Sequence, residues 1–453
     1  MTSLYQESDK QRPFDESNRI HKEYFTPFRR DYARVIHSAS FRRLQGKTQI
    51  FPGFESDFFR NRLTHSLEVA QVAKSIAIIL NEKHNLDIDL DLMETAAICH
   101  DIGHPPFGHN GELALHSKML DVGGFEGNAQ TLRVISKIEK KIHTGKNPVE
   151  DGIDNRCGLN LTYRALASVM KYDNKIPEFV VNLSSQPAKG YYACEEPLVN
   201  EIKEHVLRGY TLPQGQKFKT IECQIMDIAD DIAYSTYDIE DAMKGGFINP
   251  ISIVGSSDEL LEKVQREVST DGVQVSVAEI RDILTDIFKQ SVDFSKPVEE
   301  VYQQSDALVT SGYLRTNLTS NLVHYCLSSI EFELNEDCPV LSKVWLKEEA
   351  FKQVEVLKLF IYFSVINATK LNIVRYRGRD ILHSLFDILI EAGEEKSLLP
   401  ADINQIYYSY PKGDEYNRSR IICDFISSMT DRYAIEFYAR LKSDTPQSIF
   451  KPV

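Results

Sequence analysis

The sequence has no run of apolar residues long enough to cross a membrane. Its first seven residues also lack the basic start and the apolar stretch of a secretory signal. We therefore expect a cytoplasmic protein with no membrane contact. Internal repeats and low-complexity tracts are absent as well, and 42% hydrophobic with 26% charged residues is an ordinary balance for a globular chain.

Cysteine pairs with metal-binding spacing are missing too. The seven cysteines are odd in number and form no C-x-x-C motif, so we expect reduced thiols and no thiolate metal site. An excess of positive charge is also absent, because the formal net charge is −14. That balance argues against a generally basic nucleic-acid-binding surface, although arginines concentrated between residues 29 and 62 can still form a local anion site.

Alternating polar and apolar residues, the pattern of half-buried strands, are scarce. Most of the chain has helical periodicity instead, so we predict an all-α fold. In the second half, the predicted helices cover residues 259–264, 278–289, 341–357 and 380–392. Glycine, proline and other turn-forming residues predict loops at residues 45–59, 143–159, 182–190 and 212–217.

The densest chemistry lies at residues 100–112, which contain three histidines and two carboxylates. An apolar helical pattern precedes this stretch, and the Pro105-Pro106 pair would end the helix. The adjacent His100 and Asp101 therefore lie at a helix C-terminus. One imidazole and one carboxylate suit a divalent ion with open coordination positions, so we predict a hydrolytic metal site.

Two further segments can complete such a site. His65 lies at the polar edge of an amphipathic helical pattern, although a lone histidine of this kind is also found without a ligand role. The apolar stripe of that helix comprises Val69, Val72, Ala73, Ile76 and Leu80. Downstream, Asp230, Tyr234 and Asp238 share one helical face. That face is either a pocket wall or a solvated acidic surface, and periodicity does not decide between the two.

Six short motifs are distributed over most of the chain, at residues 41–49, 61–70, 100–112, 158–164, 229–234 and 429–434. In this order they resemble the motifs of the bacterial deoxyguanosine triphosphate triphosphohydrolases, a family of the HD-domain phosphohydrolase superfamily. A bare His-Asp pair arises often by chance. Six ordered motifs between about Arg29 and about Leu441 make the resemblance specific.

The resemblance implies an all-α fold with three parts. An HD-domain helical core at residues 27–245 would follow an N-terminal extension at residues 1–26, and a helical C-terminal region at residues 246–453 would pack on the core. The metal ligands implied by the family are His65, His100, Asp101 and Asp230. The divalent ion would be Mn, Mg, Fe or Co, and the sequence does not select among them.

The family pattern also implies a catalytic pair, with His109 as general acid and Glu112 orienting either that histidine or the attacking water. A helix that begins after Pro106 would place residues three apart on one face, within reach of each other. Which of the two activates the water is left open. His104 precedes a proline, which favours extended backbone, so we expect no ligand role for it.

Eight substrate-binding residues are implied by the resemblance. Gln45, Tyr234 and Asp238 would surround the deoxyribose, and Arg62, Lys171, Tyr172, Lys189 and Arg432 would hold the triphosphate. Arg432 is either part of this phosphate clamp or a support for the C-terminal helix. Glycine-rich phosphate loops are absent from the sequence, which fits binding of phosphate by metal and side-chain charge.

The implied function is hydrolysis of deoxynucleoside triphosphates, dGTP first among them, to deoxynucleoside and inorganic triphosphate. One alternative is an HD-type phosphohydrolase acting on another nucleotide phosphoester, and another is a non-catalytic nucleotide sensor. Because members of the family are commonly hexamers, we expect a homo-oligomer, with a nucleotide or single-stranded DNA as a candidate effector. The base preference, the metal, the effector and the subunit interface are not determined by the sequence.

Overall fold

The computed structural model describes residues 4–16, 24–51, 59–179, 186–270, 272–366, 369–392 and 398–442. The described chain is mainly helical, which confirms the predicted all-α fold. The helices of the first half are α1 (Pro27–Ile36), α2 (Ala39–Arg43), α3 (Arg62–His84), α4 (Leu90–Cys99), α5 (Gly108–Lys118), α6 (Gly127–Arg133), α7 (Tyr163–Ser168), α8 (Glu196–Leu207) and α9 (Ile221–Lys244). Those of the second half are α10 (Pro250–Val254), α11 (Asp258–Thr270), α12 (Val277–Phe288), α13 (Val298–Thr310), α14 (Gly312–Ser328), α15 (Glu348–Ile361), α16 (Thr369–Ala392), α17 (Ala401–Tyr408), α18 (Glu415–Ser427) and α19 (Asp431–Lys442).

Strands within the described ranges form three two-stranded pairs. The antiparallel pairs are β1 (Val149–Glu150) with β2 (Ile153–Asp154), and β5 (Ile330–Glu333) with β6 (Lys343–Leu346); β3 (Lys175–Ile176) and β4 (Tyr191–Tyr192) are parallel. Single turns of 3-10 or π geometry occur at Glu7–Lys10, Leu44–Gly46, Leu120–Val122, Val134–Ile138, Ala193–Glu195, Pro339–Leu341 and Tyr362–Ile366. None of these pairs is large enough to form a layer of the fold.

Helix α3 is the central helix of the first half and packs against α4 and α9. The five residues of its predicted apolar stripe are all buried. The helix begins at Asn61, whose side chain accepts a hydrogen bond from the Thr64 amide, and ends at Asn85 in the left-handed conformation. By length and mean hydropathy α3 could cross a membrane, but half of its apolar window is buried inside the protein, as in the core helix of a soluble protein.

Three large apolar clusters, besides a small one of three residues, lie between the described elements. The first surrounds α3, α4, α7 and α9 and also contains side chains from β6 and α15, such as Leu346 and Val354. The second packs the end of α9 against α11, α12 and α15. The third packs α5 against α16 and α18 through residues such as Leu115, Leu382 and Ile422. The first cluster contains side chains from both sides of residue 245. This packing does not test the domain boundaries predicted at residues 26 and 245, which stay predictions.

The predicted helix over residues 341–357 is wrong at its start. Residues 343–346 form β6, and α15 begins at Glu348. Val344 and Leu346 are buried while Lys343 and Trp345 are exposed, which is the period of two expected for a strand. An alternation of only four residues is too short to separate strand from helix in the sequence. The other predicted helices lie within or at the ends of α11, α12 and α16, and the predicted loop at 143–159 contains the β1–β2 pair. The predicted loops at 45–59 and 182–190 lie partly outside the described residues.

Candidate active site

A cavity of about 400 Å³ is lined by residues of α3, α5 and α9. This volume is in the range of about 300–1,000 Å³ that small-molecule sites occupy. The cavity collects most of the predicted site residues, namely Arg62, His65, His100, Asp101, His109, Glu112, Lys171, Tyr172, Lys189, Asp230 and Tyr234. Residues that are distant in the sequence therefore share one concave surface.

Three of the four predicted metal ligands converge in this cavity. One nitrogen each from His65 and His100 and one oxygen from Asp230 all lie within 4.8 Å of one another. His65 Nε2 is 3.1 Å from Asp230 Oδ1, and His100 Nε2 is 3.6 Å from the same oxygen. A metal ion with ligand distances of about 2.0–2.2 Å can bridge atoms at these separations.

The His100 ring is oriented by a backbone carbonyl of the preceding helical turn. Its Nδ1 donates a hydrogen bond to the Ala97 carbonyl oxygen at 2.6 Å, which leaves the lone pair of Nε2 directed into the group. In the described part of the chain this buried Nε2 has no hydrogen-bond partner. Leaving such an atom unsatisfied costs about 1–3 kcal/mol, so the residues fit a bound divalent ion.

Asp101, the fourth predicted ligand, lies at the edge of this group. Its Oδ1 is 3.6 Å from His100 Nε2 and 3.0 Å from His104 Nδ1, and its Oδ2 accepts a hydrogen bond from Arg62 at 2.5 Å. Burial would raise the pKa of Asp101, but the charges of Arg62 and His104 outweigh it and hold that pKa well below its ordinary value. Asp101 is therefore an anion. Arg62, which holds it, is a residue that the family resemblance implied would bind the triphosphate.

Lys171 adds positive charge beside the metal group. Its Nζ is 2.5 Å from Asp227 Oδ1 and 3.5 Å from Asp230 Oδ2. Burial opposes the charge on Lys171, but the two carboxylates raise its pKa well above the ordinary value. Burial likewise disfavours the Asp230 anion, but His100, His65 and Lys171 lower the Asp230 pKa below its ordinary value. Both groups are therefore charged at neutral pH.

His109 and Glu112 form a pair on the first turn of α5. His109 Nδ1 is 2.9 Å from Glu112 Oε2, and Glu112 Oε1 accepts a hydrogen bond from the Gly127 amide at 2.7 Å. Burial would raise the pKa of Glu112, but the hydrogen bond from His109 and the His104 ring lower it to about 2. At neutral pH Glu112 is a carboxylate, which can hold an imidazole but cannot donate a proton.

Tyr172 and Lys189 lie together at the cavity. Lys189 Nζ donates a hydrogen bond to the Tyr172 hydroxyl at 3.2 Å and lies 5.0 Å from the centre of its ring. With Lys171 they place two ammonium groups and a phenol along one cavity wall. Such groups bind anions through charge and hydrogen bonds.

Tyr234 and Asp238 follow Asp230 on α9 at intervals of one turn. Tyr234 lines the cavity, whereas Asp238 is only 2% exposed and is not among the lining residues. Burial, opposed by His65 and reinforced by Asp241, raises the pKa of Asp238 to about 8. Its Oδ2 has no hydrogen-bond partner among the residues that the structure describes. A neutral carboxyl at this position can donate a hydrogen bond to a hydroxyl group.

Three predicted substrate contacts, Asp238, Gln45 and Arg432, are not among the residues that line the cavity. Gln45 is exposed on the Leu44–Gly46 turn, outside the lining. The Arg432 side chain is 84% exposed, and its Nε donates a hydrogen bond to Glu436 Oε1 at 2.8 Å. Within the first motif it is Gln49 that lines the cavity, and its buried Oε1 has no partner in the described ranges. The prediction that Gln45 contacts the substrate stays a prediction, and Gln49 is a second candidate from the same motif.

The cavity is also lined by Tyr362, which the sequence analysis missed, and by His104 and Arg375, to which it assigned no role. The proline after His104 predicted extended backbone and no ligand role. In the structure the His104 amide donates to the Asp101 carbonyl at 3.2 Å, and this turn brings the ring to Asp101, with His104 Nδ1 3.0 Å from Asp101 Oδ1. The signal for His104 was its position between His100 and His109 in the same short stretch. Tyr362 and Arg375 reach the cavity from the second half of the chain.

Comparison with known proteins agrees with this geometry. The family model described as HD domain matches residues 62–235, and the one described as phosphohydrolase-associated domain matches residues 344–440. The deoxyguanosinetriphosphate triphosphohydrolase-like protein 2 of Mesorhizobium japonicum is 42% identical over 99% of this chain and 100% of its own length. Proteins named deoxyguanosinetriphosphate triphosphohydrolase-like from Aliivibrio salmonicida and Shewanella halifaxensis are 33% and 32% identical, over 91% and 94% of this chain and 92% and 94% of their own lengths.

The HD-domain match covers the metal group, the His109–Glu112 pair and Tyr234, and the similarity to the relatives extends over nearly the whole chain. Divalent metal ions are bound by domains of this type, and the donor atoms present here suit one. The chain therefore belongs to the deoxyguanosinetriphosphate triphosphohydrolase-like family of HD-domain phosphohydrolases.

Proposed function

We propose that this protein hydrolyses deoxynucleoside triphosphates, dGTP first among them, to a deoxynucleoside and inorganic triphosphate with the help of a divalent metal ion. The main support is that His65, His100 and Asp230 meet the His109–Glu112 pair in one cavity. The names of the relatives refer to dGTP as well. Breaking the bond between the α-phosphorus and the 5′ oxygen requires both an electrophilic centre and a proton donor, and the cavity offers residues for each.

His65, His100 and Asp230 would hold the ion, with Asp101 as a fourth ligand on the side of His100. A divalent ion held in this way polarises a phosphate oxygen and lowers the pKa of a water molecule toward neutrality. Mn, Mg, Fe and Co all remain candidates, because each accepts some combination of imidazole and carboxylate ligands. Arg62 holds Asp101 in the ionised form that ligation needs.

His109 is the proposed proton donor to the 5′ oxygen. The bond from water oxygen to the α-phosphorus forms, the bond from phosphorus to the 5′ oxygen breaks, and the proton from His109 converts that oxygen to the hydroxyl of the deoxynucleoside. The attacking water loses one proton to the solvent, and His109 takes one proton back from the solvent before the next turnover. Glu112, fixed by the Gly127 amide, accepts the hydrogen bond from His109 Nδ1 and so leaves Nε2 for the substrate. The low pKa of Glu112 supports the donor role of the histidine in this pair.

The triphosphate is proposed to lie against Lys171, Tyr172 and Lys189, which bring ammonium and hydroxyl donors to the cavity. Arg62 can contribute as well, because its buried Nε has no partner in the described structure while a terminal nitrogen holds Asp101. Arg432 is left out of this clamp in the isolated chain, since its side chain is exposed and bonded to Glu436.

The deoxyribose is proposed to lie against Tyr234, with Asp238 and Gln49 as partners of the 3′ hydroxyl. Asp238 follows Tyr234 on the same helix and is neutral at pH 7 because its pKa is about 8. Gln49 takes the place that the sequence analysis assigned to Gln45, because only Gln49 reaches the cavity. Tyr234 would then crowd the 2′ position and exclude ribonucleotides.

The reaction is tested by incubating the purified protein with each dNTP and Mn²⁺ or Mg²⁺, alone and in pairs. We expect inorganic triphosphate and the deoxynucleoside as products. Release of pyrophosphate or orthophosphate would instead indicate an HD phosphohydrolase with another cleavage position. Absence of any turnover with every dNTP and either metal would contradict the proposal and favour a nucleotide sensor.

Sugar selectivity is a second expected outcome. The unmodified protein should prefer dGTP to GTP, and Tyr234→Ala should narrow the ratio of kcat/KM for the two, because discrimination is a ratio of these constants. Metal content should not change, since Tyr234 is not among the grouped donors. The control is Tyr408→Ala on α17, a tyrosine outside the cavity lining. Equal hydrolysis of dGTP and GTP by the unmodified protein would contradict the sugar assignment while leaving the metal assignment intact.

The remaining proposals concern assembly and location. We expect a cytoplasmic homo-oligomer, with a hexamer as the first candidate, and a nucleotide or single-stranded DNA as a candidate effector. Light scattering at several protein concentrations measures the assembly state. A monomer at all concentrations would contradict the expected oligomer without affecting the active-site proposal.

A further inference from the structure

We propose that Asp431 is a positioning residue that holds the backbone at the start of α5, and through it His109, in the place that proton transfer requires. This inference rests on the function proposed above. Asp431 lies in the motif at residues 429–434, whose exposed Arg432 was predicted to bind phosphate. The neighbouring Asp431 is directed inward instead and is only 3% exposed.

The Asp431 carboxylate joins two active-site segments. Its Oδ1 accepts a hydrogen bond from the Phe107 amide at 2.9 Å. Its Oδ2 accepts hydrogen bonds from the Thr48 amide at 2.9 Å and from the Thr48 hydroxyl at 2.5 Å. Phe107 immediately precedes α5, and Thr48 immediately precedes Gln49. One buried side chain from the C-terminal part therefore contacts both segments that border the cavity.

Phe107 needs such an external partner. Its φ angle is 64°, a left-handed conformation that residues with a side chain rarely adopt, and it caps α5 without a side-chain hydrogen bond. The ring is confined as well, because a Cβ added at Gly378 of α16 would lie 2.8 Å from Phe107 Cγ. A strained conformation persists only when its surroundings hold it, and here the contacts are with Asp431 and Gly378.

The turn that precedes Asp431 holds the same loop at a second point. Lys47 Nζ donates hydrogen bonds to the Ser427 carbonyl at 2.9 Å and to the His104 carbonyl at 2.5 Å. Gly46 allows this turn to approach, since a Cβ at residue 46 would lie 2.8 Å from Thr430 Cγ2. The segment from His104 to Phe107 is thus linked to the α18–α19 turn directly at Phe107, by Asp431, and through Lys47 at His104.

The consequence for chemistry follows from how His109 is held. Nearly half of its side chain is exposed, and its described side-chain hydrogen bond is to Glu112 on the same helix. The position of the ring therefore depends on where α5 begins. A displacement of about 1 Å at a reacting group can cost on the order of 10²-fold in rate, whereas binding of the phosphates by lysines on other segments would change little.

The test compares Asp431→Ala with the unmodified protein in three measurements: kcat and KM for dGTP, metal content, and hydrogen exchange of peptides covering residues 104–109. We expect kcat to fall at least about 10-fold, KM to stay within about twofold, metal content to be unchanged, and exchange of the Phe107 amide to become faster. The kcat and the exchange rate of Asp431→Asn should lie between those of Asp431→Ala and the unmodified protein. The asparagine carbonyl oxygen can still accept a hydrogen bond from the Phe107 amide, but its amide nitrogen faces the Thr48 donors and cannot accept from them.

The matched control is Asp387→Asn. Asp387 on α16 also bonds α5, but at its far end, where its carboxylate accepts hydrogen bonds from Lys118 Nζ at 2.7 and 2.8 Å. This variant should leave kcat and the exchange of residues 104–109 unchanged. Should Asp431→Ala fail to fold, Asp431→Asn carries the test in its place.

An unchanged kcat, or an unchanged exchange rate at Phe107, would overturn the inference. A kcat that falls only in proportion to lost metal or lost folded protein would overturn it too, because Asp431 would then act on the whole fold. If the unmodified protein hydrolyses no dNTP, the proposed function fails, and the exchange measurement still decides whether Asp431 holds the loop.

Discussion

The His100→Ala protein is expected to lose its divalent ion and its hydrolytic activity together. His100 Nε2 is a buried nitrogen directed at Asp230 by the hydrogen bond between His100 Nδ1 and the Ala97 carbonyl. Removing it leaves His65 and Asp230 as the only close donors of the three-residue group, and an incomplete site binds metal weakly. Metal analysis after dialysis and a dGTP assay should both fall to background. His65→Ala, Asp101→Ala and Asp230→Ala are expected to behave alike.

A matched control is His37→Ala, which removes an exposed histidine outside the cavity. It should keep both metal and activity. A His100 variant that retains stoichiometric metal and normal turnover would show that His100 is not a ligand. Asp101 is the most discriminating of the four, because its oxygens already contact Arg62 and His104. Loss of activity with full metal retention in Asp101→Ala would reassign it from ligand to partner of those two side chains.

The second large effect is expected at His109. His109→Ala should lower kcat by at least about 10²-fold, the usual size of a general acid contribution, while metal and dNTP still bind. The ring is not part of the metal group, and its described contact is with Glu112, so its removal should leave the donors in place. Single-turnover measurements with dGTP, together with metal analysis, separate this result from the ligand variants.

Glu112→Gln completes that prediction. The amide keeps the shape of Glu112 but loses the negative charge that stabilises a protonated imidazole, so kcat should fall. The control is His116→Gln, a buried histidine of the same helix outside the cavity lining. Normal turnover in both His109→Ala and Glu112→Gln would place the proton transfers elsewhere.

The local features of the site were predictable because each depends on short-range geometry. The apolar stripe at residues 69–80 specified the buried face of α3 and with it the position of His65. The prolines after Asp101 predicted the helix end, and α4 ends at Cys99 with His100 as its cap. The spacing of three between His109 and Glu112 predicted their contact on the first turn of α5.

Other assignments depended on which side chain of a motif is directed inward, and short-range patterns do not decide that. Gln45 and Gln49 are four residues apart in one motif, yet the turn at Leu44–Gly46 leaves the first exposed and brings the second to the cavity. Arg432 and Asp431 are adjacent, but the docking of α19 on the active-site loop directs only Asp431 inward. Here the choice follows from packing between segments that are distant in sequence.

The sequence by itself determined the helical fold class, the family and the set of ionisable side chains available for chemistry, because helical periodicity and motif order are properties of the linear chain. The tertiary structure decided how those side chains are paired. Arg62 holds Asp101, Asp227 holds Lys171, and Asp431 holds the Phe107 backbone, each across tens to hundreds of residues. These pairings exist only once burial removes the competing water and brings the segments into contact, and no local pattern encodes that step.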